Sequence, residues 1–197
     1  YVNRIDDRYR TYHNSFKDWL SGNAPYPHDS HDYVVDLDRS ARPLTNWCFN
    51  QFKEAKMSDY ARRHLIAHLV EMQRWDEVKT VLTSYDFLHD RVAQGETREL
   101  ISDCERVASA PDSPLRGFAR MLGGAMRLSE GALQHDVSHL PSQLVGRLLD
   151  AGDPDIQLLL KDVNLRARKP WLRPLAPTLT VPSRELVGTL SHGCRVT

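Results

Sequence analysis

His64 and His68 stand four residues apart, one helical turn, so two imidazoles on one face could address a single metal ion. The zinc-protease arrangement H-E-x-x-H would need a glutamate as base where Leu65 stands, and no third ligand is evident. No metal is therefore expected, and the pair reads as a structural or surface feature. His28 and His31 lie in a proline-containing stretch that reads as a solvated loop. Gly123-Gly124 has the look of a phosphate loop, but G-x-x-x-x-G-K-[ST] occurs nowhere in the chain. The pair falls inside a helical stripe, where glycine allows close packing or weakens the helix. No serine sits in a G-x-S-x-G elbow. Asp150, Asp153 and Asp155 gather where a helix should start, and there they favour the helix dipole without any catalytic role. Arg166, Arg168, Lys169 and Arg173 make a short basic run that reads as a solvated face rather than a nucleic-acid footprint. No catalytic residue is expected, and the chain does not read as an enzyme.

The elements that carry these residues are mostly helices. Ala61, Leu65, Leu69 and Met72 form one apolar stripe; Trp75, Val78, Val81 or Leu82, and Tyr85 form the next, continued by Leu88 and Val92. Gly95 and a Thr97 cap precede Leu100, Cys104 and Val107. Ser113-Pro114 reads as a cap and first-turn proline before Leu115, Phe118, Leu122 and Ala125. Pro141 opens Leu144, Val145 and Leu148, and Asp153-Pro154 opens Ile156, Leu159, Leu160 and Val163. Earlier, Leu44, Trp47, Cys48 and Phe52 share a helix face over residues 40–56, with Pro43 in the first turn or kinking it. Residues 2–12 read as a β-hairpin turning at Asp6-Asp7, followed by a short helix over 15–20. Residues 169–177 are punctuated by prolines, with Trp171 as an aromatic anchor for the tether, and residues 186–192 start like a strand with no partner to follow.

Composition narrows the class further. Hydrophobic residues make up 41% of the 197, which supports a packed core, and the net charge of +0 supplies no bulk attraction for nucleic acid or an acidic membrane. No apolar run approaches the roughly 20 residues that span a bilayer. Cys48, Cys104 and Cys194 are odd in number and lack C-x-x-C spacing, so a reducing, cytoplasmic setting is expected.

Several blocks in order resemble the helical region of STAND signalling ATPases, the NB-ARC and NACHT proteins that end in WD-repeat propellers and include relatives of apoptotic protease-activating factor. Tyr12-His13-Asn14-Ser15-Phe16-Lys17-Asp18-Trp19-Leu20 looks like the end of their winged-helix domain. Tyr60-Ala61-Arg62-Arg63-His64-Leu65-Ile66-Ala67-His68-Leu69 resembles the first arm helix, and residues 75–93 the following helix pair. Pro141-Ser142-Gln143-Leu144-Val145-Gly146-Arg147-Leu148 and Pro170-Trp171-Leu172-Arg173-Pro174 resemble the late helix and the proline tether, and residues 186–192 the opening strand of a first WD repeat. The resemblance implies that His13 contacts ADP in the full-length protein, with ATP or ADP as cofactor there and none in this fragment. It also implies adjoining nucleotide-binding and WD-repeat modules as partners, other protein partners, and an oligomer on activation.

The expected fold is all-α: stacked antiparallel helix pairs forming a superhelical arm, with a short hairpin at the N-terminus and an unpaired strand at the C-terminus. Residues 1–25 would end a winged-helix unit, 26–57 supply a loop and connecting helix, 58–168 form the arm, and 169–197 the tether and first propeller strand. The expected function is a non-catalytic connector between a nucleotide switch and a WD-repeat sensor, with no nucleic-acid or membrane partner. A free-standing helical-repeat adaptor for a protein or peptide is the alternative, and a metal hydrolase built on His64 and His68 a distant third.

Overall fold

The computed structural model describes residues 2–5, 8–11, 37–167 and 171–182. Two short strands, β1 (Val2–Ile5) and β2 (Arg8–Thr11), pair antiparallel with Val2 opposite Thr11 and Ile5 opposite Arg8. All the rest of the regular structure among the described residues is helical, so the fold is all-α. The expected helix over 15–20, the loop after it and the strand over 186–192 lie outside the described residues.

Eight helices follow: α1 (Leu37–Lys53), α2 (Asp59–Glu71), α3 (Trp75–Leu82), α4 (Tyr85–Ala93), α5 (Thr97–Ser109), α6 (Arg116–His135), α7 (Leu140–Leu148) and α8 (Pro154–Arg166). Three of their starts are capped by side chains. The Ser58 hydroxyl accepts from the Ala61 N–H at α2 and the Ser84 hydroxyl from the Phe87 N–H at α4. Asp153 caps α8, one carboxylate oxygen accepting from the amides of Asp155 and Ile156 at 2.9 and 3.2 Å, with Pro154 in the first turn.

Three starts differ from the sequence reading. Helix α1 begins at Leu37 rather than near residue 40, so of the two placements read for Pro43 the first turn is excluded and the helix interior holds. Helix α6 begins at Arg116, beyond Ser113-Pro114, and no side chain caps it; the Ser113 hydroxyl is buried without a hydrogen-bond partner. At α5 the cap position is Glu96 and Thr97 is already helical; the Glu96 carboxylate turns inward to arginines instead of capping. On α1, Cys48 and Phe49 are buried while Leu44 and Trp47 remain exposed, because the face that meets α2 is rotated from the apolar stripe.

The stripes of α2 to α8 meet in one continuous core that includes Leu65, Leu82, Leu88, Leu100, Phe118, Leu144 and Leu159. Each such side chain gains about 1.5–3 kcal/mol from leaving water. Sequential helices pack on one another, but α2 also reaches α5, and α4 reaches α8. These longer contacts brace the stack across its length. The broadest contact is α5 on α6, where a Cβ at Gly123 would stand 3.0 Å from the Cys104 Cβ. Close approach, not phosphate binding, explains that glycine. Gly123→Leu forces the two helices apart and should lower stability by about 1–3 kcal/mol. The readout is a lower urea midpoint at unchanged slope; an unmoved midpoint would mean that the seam is loose.

Candidate functional site

Residues 171–182 carry no regular secondary structure and bend at Leu175, Ala176 and Leu179, and their last part is seated on α6 and α7. The seat is built around Arg147 of α7, whose side chain is buried at 9% exposure although it lies near the surface end of the core. Its Nε donates to the Ser129 hydroxyl at 3.0 Å, and Nη2 donates to the Leu128 carbonyl at 3.0 Å and to Gln143 Oε1 at 3.1 Å. Nη1 points the other way and donates to the Thr180 carbonyl of the tether at 2.8 Å. One residue earlier, the Leu179 N–H donates to the Gly146 carbonyl at 3.2 Å. The Leu179–Thr180 dipeptide is thus held at its leading N–H and its trailing C=O.

Two glycines let the backbone come this near. A Cβ on Gly146 would stand 3.0 Å from Leu179 Cδ1, and one on Gly124 would stand 2.6 Å from the Pro182 Cβ. Gly124 therefore belongs to the seat, while its neighbour Gly123 belongs to the core. All acceptors of Arg147 are neutral, and no carboxylate among the described residues forms an ion pair with it. Burial lowers its pKa from the usual guanidinium value, but arginine keeps its charge at neutral pH. Removing the tether would strip Nη1 of its one acceptor among the described residues.

Upstream, Trp171 packs half-buried against the core, as the sequence led us to expect of an anchor. It walls an open groove of about 690 Å³ with Phe52, Met57, Phe87, Val137 and Pro141. At the groove's rim Arg166 donates to Asp86 and Asp162, each at 2.8 Å, and Asp162 accepts from the Tyr85 amide at 2.8 Å.

Deeper in the arm lies a second set of charges. Arg62 of α2 grips Glu96 through two donors at 3.1 and 3.0 Å, and Arg63 adds a third at 2.6 Å. Arg91 of α4, with no exposed surface, donates to the Arg62 carbonyl at 2.5 Å and to Asp103 of α5 at 3.0 Å, while its Nε lies 3.4 Å from Glu96. The two carboxylates respond oppositely. Burial pushes Glu96 up, yet Arg62, Arg63 and Arg91 together bring it below its ordinary pKa. At Asp103 burial outweighs Arg91, Glu96 and Glu99 add to the upward push, and the pKa rises to about 6. The network ties α2, α4 and α5 into one register, and none of Arg62, Arg91, Glu96 and Asp103 lines the groove beside Trp171.

The other residues singled out from sequence fall as follows. His13 lies outside the described residues. His64 and His68 share a face of α2 with Tyr60, whose hydroxyl lies 3.0 Å from His68 Nε2 and whose ring is 4.6 Å from that of His64. The imidazole centroids are 6.4 Å apart. Desolvation, then His68, Arg63 and Arg91, hold the His64 pKa below its ordinary value. Among the described residues no group of three or more His, Cys, Asp and Glu is placed to hold a metal ion. Asp153 is a cap, and Asp155 lies 3.4 Å from Lys79. Arg166 is engaged at the groove rim, and Arg173 is exposed. Arg147 and Arg91 carry the two constellations and drew no role from the sequence, although each interrupts an otherwise apolar helical stripe.

Comparisons with family models, with curated proteins and with solved structures found no match. Among the described residues no helix is long and apolar enough to cross a membrane.

Proposed function

We propose that this chain is a non-catalytic helical connector of a STAND-type signalling ATPase in the cytoplasm, coupling a nucleotide switch module to a WD-repeat sensor. The reading draws on the ordered sequence blocks described above. The single observation that supports it in the structure is that the tether sits on the same continuous core as the arm helices. A body packed this densely moves as a unit, so rotation at one end carries the other with it. The cross-braces from α2 to α5 and from α4 to α8 oppose bending between them.

The assignment has two tests with opposite vulnerabilities. Calorimetric titration of ATP or ADP into this chain should give no saturable heat, because the sequence holds no phosphate loop; saturable binding would overturn the connector role. The flanking coding sequence should carry a phosphate loop upstream and repeats of roughly 40–45 residues downstream. A reading frame with neither would overturn the family assignment and leave a helical adaptor.

A further inference from the structure

The seat under residues 178–182 has the chemistry of a peptide-recognition site. A non-helical segment that bends at Leu179 is read through its backbone by one accepting carbonyl, that of Gly146, and one donating guanidinium, that of Arg147. Two of its side chains fall on glycine saddles, Leu179 on Gly146 and Pro182 on Gly124. Backbone bonds supply affinity and spaced side-chain pockets supply selectivity in strand-like peptide recognition generally. A proline three residues after the leucine suits such a site, since its fixed φ and its restriction of Val181 narrow the conformations the segment gives up on binding.

We propose that the cleft between α6 and α7 is a recognition site for Leu-x-x-Pro segments, occupied in this structure by the chain's own Leu179 to Pro182. The case is Arg147. With the tether seated its side chain is largely covered and meets no carboxylate among the described residues, and among them its outward amino group has a tether carbonyl as its sole acceptor. A charged donor fixed by Ser129, Leu128 and Gln143 remains aimed outward when the segment leaves, pre-organised for another peptide carbonyl in the same place. The occupant in cis competes at an effective concentration near the millimolar range, so a partner peptide engages only when the tether is displaced. The cleft exists whatever adjoins the chain, so this site does not depend on the connector reading.

The test uses the whole chain and a labelled peptide of sequence Pro-Thr-Leu-Thr-Val-Pro, matching residues 177–182. A Leu179→Asp, Pro182→Asp variant vacates the cleft from outside the core, and circular dichroism checks that its helices persist. By fluorescence anisotropy it should bind the peptide at least about 10-fold more tightly than the unaltered chain. Adding Arg147→Gln or Gly124→Val should remove that gain. Equal binding by vacated and unaltered chains, or binding indifferent to Arg147, would overturn the site. So would equal affinity for a peptide with its leucine and second proline replaced by alanine. In the unaltered chain the Leu179 amide should exchange with solvent at least about 10-fold more slowly than in Arg147→Gln, since its bond to Gly146 depends on the seated segment. A concentration-dependent dimer that Leu179→Asp dissolves would overturn the assignment to the chain's own segment.

Discussion

Arg91→Ala should lower the unfolding free energy of the chain by about 3–5 kcal/mol, read as a fall in urea midpoint by circular dichroism. The side chain has no exposed surface and spans three helices, from the Arg62 carbonyl on α2 to Asp103 on α5. Truncation leaves Asp103 buried without its contacting cation and leaves a cavity where the stem lay. Glu96 suffers less, because Arg62 and Arg63 still hold it. Arg91→Met separates the two losses, since it refills much of the volume and restores none of the charge. If the methionine variant regained most of the stability, packing rather than charge pairing would be the origin. A loss below about 1 kcal/mol in the alanine variant would mean that the network contributes nothing net, as some buried ion pairs do.

The second large effect is in pH. Asp103 binds its proton with a pKa of about 6 in the folded chain against 3.8 for the free group, because burial outweighs the pull of Arg91 and Arg106. The folded chain therefore holds this proton more tightly than the unfolded chain between those two values. Its contribution to stability is fully present below about 3.8 and is lost as pH rises through about 6. The full span corresponds to about 3 kcal/mol. Asp103→Asn removes the titration, so the stability of the parent minus that of the variant should shrink by up to this amount between about pH 4 and pH 7. A difference that stays flat would place the Asp103 pKa near its free value. Glu96 behaves in the reverse sense. Its lowered pKa gives stability that persists above the ordinary glutamate range and fades only as pH falls beneath it.

Helices were legible because their signals are local. Stripes such as Ala61, Leu65 and Leu69 follow from periodicity, and Asp153-Pro154 names its own cap. Starts that depend on tertiary contacts were not legible. Ser113-Pro114 has every local mark of a helix opening, yet α6 starts beyond it. Glu96 occupies a cap position while its carboxylate serves residues 33 and 34 positions away in sequence. The same limit hid the seat. Gly123 and Gly124 were readable as packing glycines, but only the fold assigns one to Cys104 and the other to Pro182. Arg147 and Arg91 interrupt apolar stripes, a pattern equally open to a long side chain that lies over the core and keeps its head in water. What distinguishes them is the acceptor each meets, and that acceptor comes from another helix or from the tether.

Fastening at Thr180 and Pro182 also sets a radius. With the segment seated, the polypeptide after Pro182 departs from a point on α6 and α7. Unfastened back to the end of α8, the same stretch pays out at roughly 3.3–3.6 Å per residue and sweeps a sphere on the order of 50 Å in reach. One guanidinium and two missing methyl groups thus separate a fixed mount from a leash.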